Sequence, residues 1–359
     1  MRARPGLDLV IAGGGSIGLG HVMRSAVLAV EARRRGWRVR AFLEGDEKAA
    51  AQWRVASERT PCWRWADGAS LDAAPLTLLD HPHEKTDQLL RLAGSDSRTI
   101  VLDDPRYRDE ADLTILPGLH HPTHAASNAS PRRVLSGPRF AILGRAHRSV
   151  RRLPLLARTR LLLSLGGSDP HHLTCRLAPL LSSVLEDSEV LHGIASWHVV
   201  LGPAFEDPGD RIQRSLEHAG WRVHRAIPAL RMAILMSQSR IAVMGFGTSL
   251  TELAWHGTPH LSVTHRSGDD PSARFLESQG IGVHLGSAGS LDDETVRARF
   301  RRALEDARWQ EESADRAFRA IEGGHGSRRI LAELEKLHPA AEHSPSTLPN
   351  RGATHVLSS

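Results

Sequence analysis

His21 and Arg24 stand three residues apart at the end of a glycine-rich run, Gly13-Gly14-Gly15-Ser16-Ile17-Gly18-Leu19-Gly20. Gly13, Gly15 and Gly18 fit G-x-G-x-x-G, in which missing Cβ atoms let backbone N–H groups approach a phosphate at the start of a helix. The imidazole at the helix opening is the more unusual feature. The positive end of a helix disfavours imidazolium, so His21 is expected to be neutral and able to take a proton near pH 7, with Arg24 one turn on along a neighbouring face. The ordinary alternative is a helix-start histidine bonded to backbone. A nicotinamide dehydrogenase would want an acidic residue about 20 positions on, ending the second strand, and Glu44 fits that only loosely.

Two more glycine turns follow apolar runs. Gly166-Gly167-Ser168-Asp169-Pro170 comes after 161–165; its amides and Ser168 can cradle an anion, with Asp169-Pro170 as N-cap and first residue of a helix near Leu173. A plain strand-to-helix turn has the same composition. Gly245-Phe246-Gly247-Thr248-Ser249-Leu250-Thr251-Glu252 comes after 240–244. Thr248 and Ser249 can meet a phosphate while Glu252 holds ribose hydroxyls; alternatively, Ser249-x-x-Glu252 is a capping box that only satisfies the helix start. A dehydrogenase needs one cofactor site, not two more turns in a second half. The count therefore points to a nucleoside diphosphate held chiefly by the second half.

The elements that must position these turns are legible as a rhythm. Short apolar runs at 7–12, 37–43, 76–79, 99–102 and 113–116 read as strands, and 22–35 as an amphipathic helix. Such alternation implies an α/β, doubly wound, mostly parallel sheet. The rhythm breaks at 144–160, where His147, six arginines and Pro154 read as an interdomain linker. It restarts with 161–165, 198–201, 222–223, 240–244 and 260–263 as strands, and ends with helices at 295–307 and 327–337. This divides the chain into a domain at 1–150 carrying the base, a nucleotide-binding domain at 151–337, and a tail at 338–359 rich in Pro, Ser, Thr and Asn and expected to be disordered. Two doubly wound halves would face a central cleft at the carboxyl ends of their strands.

Composition removes other classes. A length of 359 residues suits two domains, and 46 basic against 41 acidic residues leave a net charge of only +5. Lys48, Lys85 and Lys336 are the only lysines, so 43 of the 46 basic residues are arginine, scattered in a way that reflects a GC-rich genome more than an arginine-based function. With 4% aromatics and a single tyrosine, Tyr107, the chain lacks stacking platforms, and no nucleic-acid partner is expected. Cys62 and Cys175 alone exclude a disulfide framework and a Cys-based zinc site. No run approaches the roughly 20 apolar residues of a membrane span, and 7–12 is too short for a signal-peptide core, so a cytoplasmic protein without an integral membrane segment is expected. Oligomeric state leaves no mark on the sequence. Of the 21 histidines, His120, His121 and His124, or His81 and His83 with Asp80, invite a metal reading. Pro117, Pro122 and Pro82 interrupt any helix that could align them, so they read as surface loop residues with no metal. His171 and His172 are better placed, beside the second glycine turn, as phosphate or sugar contacts.

At these residues the chain resembles a family. The segment 17–24 resembles the G-x-G-H-x-x-R signature of the nucleotide-sugar hydrolase of pseudaminic acid biosynthesis and its spore-coat-polysaccharide relatives, in the superfamily of the peptidoglycan N-acetylglucosaminyltransferase MurG. The resemblance continues in order through Asp103-Asp104, 136–143, 165–170, 232–236, 247–253, 257–259 and 322–328, and so covers roughly 7–337. It implies a GT-B fold of two Rossmann-like domains. It also implies hydrolysis of a UDP-linked, modified deoxyamino sugar in surface-glycan precursor synthesis, with inversion at the anomeric carbon and UDP as leaving group. His21 would be the base, beside Gly18, Gly20 and Arg24. Gly167, Ser168, Gly247, Thr248 and Ser249 would stabilise the diphosphate, Glu252 would bind ribose, and backbone near Ile227 would face uracil. No metal or other cofactor is needed, because amide dipoles neutralise the diphosphate. The chain departs from the family at Gly268-Asp269, where relatives have Asn-Gln, and at Phe246, where they have a small residue. An acidic Asp269 or Asp270 near a diphosphate would repel it unless it turns to solvent or meets a cation. Two alternatives stand beside the hydrolase: a GT-B glycosyltransferase in which the same base activates an acceptor hydroxyl, and a catalytically silent nucleotide-sugar-binding protein.

Overall fold

A computed structural model describes residues 4–14, 17–65, 74–92, 97–120, 133–187 and 193–338. The first stretch of chain runs β1 (Gly6–Gly13), α1 (Gly20–Arg34), β2 (Arg38–Gly45), α2 (Glu47–Ala56), β3 (Cys62–Arg64), β4 (Leu76–Asp80), α3 (His83–Leu92), β5 (Arg98–Leu102), β6 (Leu113–Leu116) and β7 (Arg133–Ser136). It continues through α4 (Arg145–Ser149), β8 (Arg160–Ser164), α5 (Leu173–Leu185), β9 (Ser196–Leu201), α6 (Arg211–His218), β10 (Arg222–Arg225), α7 (Ala229–Gln238) and β11 (Ser239–Gly245). It closes with α8 (Thr248–His256), β12 (His260–Thr264), α9 (Asp270–Ser278), β13 (Val283–Ser287), α10 (Asp293–Glu305), α11 (Ala307–Ala320) and α12 (Gly326–Leu337).

Two compact units result, one of Met1–Ile142 with His325–Ser359 and one of Leu143–Gly324. The first holds a seven-stranded sheet in the order β3-β2-β1-β4-β5-β6-β7, the second a six-stranded sheet in the order β10-β9-β8-β11-β12-β13. Every strand pair is parallel. This is the α/β, doubly wound pattern expected from the sequence. The cause is visible strand by strand: β1 and β4 are buried along their whole length, as strands covered on both faces must be, and their apolar runs are continuous for that reason. Strand order reverses between β1 and β4 in the first unit and between β8 and β11 in the second. At such reversals crossovers diverge to opposite faces and leave a crevice at the carboxyl ends.

The structure differs from the reading in several elements. Strands β3, β7 and β13 have no counterpart among the apolar runs, being short or partly polar. The 144–160 stretch packs on the second unit: His147 is buried, and so is Arg158, whose guanidinium donates to the carbonyls of Leu153, Ser239, His256 and Gly257 and to Thr258 Oγ1. The helix read over 295–307 ends at Glu305, because Asp306 caps a new one by accepting from Trp309 N at 2.8 Å. Helix α12 belongs to the first unit, where Ile330, Leu331 and Leu334 are buried and the helix packs on α1. Arg328 meets Glu31 of α1 at 3.2 Å there, and a Cβ on Gly326 would run into the Ala141 carbonyl. Among the described residues no helix is long and apolar enough to cross a membrane.

Candidate active site

The first crevice is built by a turn, a helix and two strand ends. Gly14 and Gly18 close a small antiparallel bridge, Gly14 N to Gly18 O at 3.1 Å and the reverse at 2.7 Å, with φ of +142° and +90° that favour glycine. Gly13 serves packing, since a Cβ there would collide with Val22 of α1. Gly15 and Ser16 lie outside the described residues. With the turn closed, α1 begins at Gly20 with no side-chain cap and no acid in its first turn, so His21 and Arg24 enter the crevice on one side of the helix.

Both converge on Asp80, the last residue of β4. His21 Nδ1 lies 2.6 Å from Asp80 Oδ1. Arg24 reaches the same carboxylate through Nε, at 2.9 and 3.1 Å, and through Nη2, at 2.6 Å. Ser25 Oγ donates to Asp80 Oδ2 at 2.7 Å. The other arm of Arg24, Nη1, is paired with Asp103, the residue following β5, whose φ of +66° is rare outside glycine. Asp80 is fully buried. Burial alone would raise its carboxyl, yet the Arg24 guanidinium and the hydrogen bonds from Arg24 and His21 hold it at about 2. Burial likewise acts to lower Arg24, but Asp80 and Asp103 together raise it above the ordinary arginine value. Asp80 is therefore ionised and Arg24 charged at any working pH.

An ionised carboxylate can only accept, so the 2.6 Å contact places a proton on His21 Nδ1. The 3.1 Å approach of Arg24 Nη2 to that nitrogen is then proximity and not a hydrogen bond. In the neutral imidazole the lone pair then falls on Nε2, which has no hydrogen-bond partner among the described residues, on a side chain that is 24% exposed. The arrangement can take a proton at Nε2 while Asp80 offsets the charge that forms on the ring. His21 is thus bonded to a carboxylate, not to backbone.

Asp80, Asp103 and Ser25 are the residues of this cluster that the sequence reading did not assign to it. Asp80 entered only as a metal candidate with His81 and His83, and Asp103 only as part of a motif. The available signal was position: each closes or follows an apolar strand run, which puts it at the carboxyl edge of the sheet. Asp80 spends its oxygens on His21, Arg24 and Ser25. His81 Nε2 bonds Glu44 Oε2 at 3.0 Å, and Lys85 pairs with the same carboxylate; Glu44 is the penultimate residue of β2, near where the dehydrogenase reading wanted an acid. The positions 121 and 124, and the side chain of His83, lie outside the described residues.

In the second unit both remaining turns sit at the strand reversal. Gly166 adopts φ of +94°, and Gly166 and Gly167 pass so close to the backbone after β9 that a Cβ on Gly202 would strike both carbonyls. Ala204 N donates to Gly167 O at 2.9 Å. Asp169 caps α5 from further back than expected: Leu173 N and Thr174 N donate to its oxygens at 2.9 and 2.8 Å, and His172, in the left-handed region, is the residue at the cap. Ser168 is half-buried beside this turn. His171 stacks on His265 with ring centroids 5.8 Å apart, and His172 meets Phe205 edge-on.

The third turn lies against the second, with a Cβ on Gly245 at 3.1 Å from the Leu165 carbonyl. Gly247 is the N-cap of α8, at φ +154° and without a side-chain bond, so Thr248 and Ser249 occupy the first two helical positions, whose amides have no acceptor within the helix. The capping box does not form, because Ser249 is inside the helix and Glu252 turns instead to His147, Oε1 to Nε2 at 3.3 Å. His147 Nδ1 is 3.2 Å from His256 Nε2. Ile227 is half-buried in the loop between β10 and α7. Asp269 is half-buried at the start of α9. Asp270 turns inward, bonded by Thr264 Oγ1 and 3.4 Å from His284 Nε2, which removes the expected repulsion from that residue.

No protein-family model matches the sequence, and no curated protein matches it significantly. Solved structures do share its fold. MurG of Acinetobacter baumannii is similar at 13% identity with a TM-score of 0.60, over 93% of this chain and 100% of that one. The calicheamicin glycosyltransferase CalG4 is similar at 19% identity and 0.57, over 93% and 98%. The spinosyn rhamnosyltransferase SpnG complexed with thymidine diphosphate is similar at 15% identity and 0.56, over 92% and 100%. With two parallel-sheet Rossmann-like units and these neighbours, the chain has the GT-B fold.

Proposed function

We propose that this chain is an enzyme acting on a nucleotide sugar at the anomeric carbon, with His21 as the base that activates an oxygen nucleophile. The observation that carries the reading is the His21–Asp80 pair at a sheet reversal, with a proton on Nδ1 and a free lone pair on Nε2. As the nucleophile's oxygen bonds to the anomeric carbon, its proton passes to Nε2, the bond from that carbon to the diphosphate oxygen breaks, and the nucleoside diphosphate leaves from the opposite face. Asp80 offsets the imidazolium, and Arg24, tied to Asp103, keeps Asp80 in place. Within the second unit, the sequence resemblance assigns Gly167, Ser168, Gly247, Thr248 and Ser249 to the diphosphate, Glu252 to ribose, Ile227 to the nucleobase and Asp269 to the choice of donor.

Glycosyl transfer to an acceptor hydroxyl is the leading form of this reading, since the neighbours named as transferases share the fold. Hydrolysis of a UDP-linked deoxyamino sugar, with water as nucleophile, is the second, favoured by the ordered series of motifs from 17–24 to 322–328 that resembles the pseudaminic acid hydrolase. The deciding experiment incubates the purified protein and His21→Ala with a panel of UDP- and TDP-sugars, with and without hydroxyl acceptors, and follows nucleotide release. Release only with an acceptor supports transfer, and release without one supports hydrolysis, each lost in the variant. Nucleotide binding without any release leaves a silent binding protein. If no nucleotide binds, the proposal fails.

A further inference from the structure

At the end of the second sheet away from its glycine turns, three arginines gather without an acid among the described residues. Arg160, Ser196 and Arg222 are the first residues of β8, β9 and β10. The parallel register sets Arg160 beside Ser196, Leu162 beside His198, and His198 beside Arg222. Side chains alternate along a strand, so Arg160, Ser196, His198, Arg222 and His224 share one face. Helix α7, which packs on β8 and β11, brings the charge of Arg231, in its first turn, within electrostatic reach of Arg160 and His198. Among the described residues the guanidinium groups of Arg160, Arg222 and Arg231 have no hydrogen bond or ion pair, although those of most other arginines of the chain do. They act on one another instead: burial lowers Arg160, and the charges of Arg222 and Arg231 lower it further.

Beneath them lie two histidines. His198 and His224 stack with centroids 5.2 Å apart and planes 4° from parallel, joined by a 2.9 Å contact from His198 Nδ1 to His224 Nε2. Ser196 Oγ is 3.0 Å from His198 Nε2. Burial, and then the arginines, push His198 down to about 4 and lower His224 as well, so both rings are neutral. Ser196 can then donate to His198 and His198 to His224, which leaves a donor, His224 Nδ1–H, at the partly exposed end of the row.

We propose that this face binds a phosphoryl group, free or carried by a larger molecule, through Arg160, Arg222 and Arg231 with His224 as a neutral donor. Three uncompensated guanidinia held within reach of one another are unfavourable until an anion joins them, and guanidinium matches phosphate oxygens two at a time. The site is distinct from the diphosphate turns, which lie at the opposite ends of the same strands.

Inorganic pyrophosphate is the probe, titrated calorimetrically into the full chain at low salt with saturating UDP present to fill the nucleotide turns. The comparison is with Arg160→Gln/Arg231→Gln and with Thr248→Val, which alters α8 only. We expect uptake that persists under UDP, weakens at least about tenfold in the double variant and survives in Thr248→Val. Should UDP itself fail to bind, the function reading falls while the loss specific to the double variant still tests this site. Removing two like charges relieves repulsion, so the ligand-free melting temperature of the double variant should equal or exceed the wild type, which guards against mere misfolding. Flotation with phosphatidylglycerol vesicles, against phosphatidylcholine alone, separates the sources: flotation lost in the double variant assigns a lipid headgroup, and pyrophosphate uptake without flotation assigns a soluble phosphate. Equal titrations of wild type and double variant, or uptake that UDP abolishes, would overturn the proposal.

Discussion

Replacing Asp80 by Asn tests the site at its centre, because the change keeps shape and removes charge. The carboxyl titrates at about 2 against an ordinary 3.8, a difference worth about 2 kcal/mol of stability at neutral pH. Since the folded value is the lower one, this contribution is complete above about pH 4 and fades as the pH falls toward 2. The variant loses it and also leaves the buried Arg24 charge to Asp103 alone, so the total cost is on the order of 3 to 5 kcal/mol. Catalysis should suffer separately. An amide can still orient the ring but cannot offset an imidazolium, and the expected loss in kcat is about 10²- to 10⁴-fold with little change in KM. Nucleotide release at saturating donor reads the catalytic loss. Thermal melting reads the loss of stability, and the downfield proton resonance of His21 Nδ1–H, present in the wild type and shifted in the variant, reads the geometry without any turnover. Asp103→Asn, which removes the second carboxylate paired with Arg24, should destabilise the fold while reducing kcat far less. An Asp80→Asn protein that melts early yet keeps kcat within about threefold would refute the reasoning, leaving Asp80 as a counter-ion to Arg24 and nothing more.

Three further outcomes follow from the geometry. Gly202→Ala should force the Gly166-Gly167 turn to shift, lowering stability by about 1 to 3 kcal/mol and weakening UDP binding in calorimetry; unchanged affinity would separate that turn from the nucleotide. Arg158→Met should cost about 3 to 5 kcal/mol in urea denaturation, because the carbonyls of Leu153, His256 and Gly257 lose their buried donor, and an unchanged midpoint would contradict this. Buried neutral histidines should make the fold acid-sensitive: His198 and His260 are held at about 4 and His256 at about 3, from an ordinary 6.5. Their stabilising share is full above pH 6.5 and is lost below it at about 1.4 kcal/mol per pH unit for each, so urea midpoints should fall between pH 7.5 and pH 5.5, and flat midpoints would count against it.

Legibility of the site in the sequence tracks the distance over which its contacts run. His21 and Arg24 were visible because three residues in one helix turn are local geometry. Their shared partner was not, because Asp80 is 59 residues from His21 and nothing in its own neighbourhood distinguishes a catalytic orienter from a strand end. The same limit applies to Glu252: its capping-box spacing is a local pattern, and the chain overrides it by starting α8 at Gly247 and giving the carboxylate to His147, more than a hundred residues upstream.

What the sequence determined by itself is the architecture. Continuous apolar runs ending in glycine turns can be buried only as parallel strands covered on both faces, and two such series separated by a basic stretch make two sheets. Only the tertiary structure decided which polar groups meet: the pairing of Asp80 with His21, the buried guanidinium of Arg158, the three arginines gathered at one sheet end, and the return of α12 to the first unit. Burial periodicity is a property of a segment and can be read along the chain, whereas a hydrogen bond or an ion pair depends on strand order, which brings distant residues to one edge of a sheet.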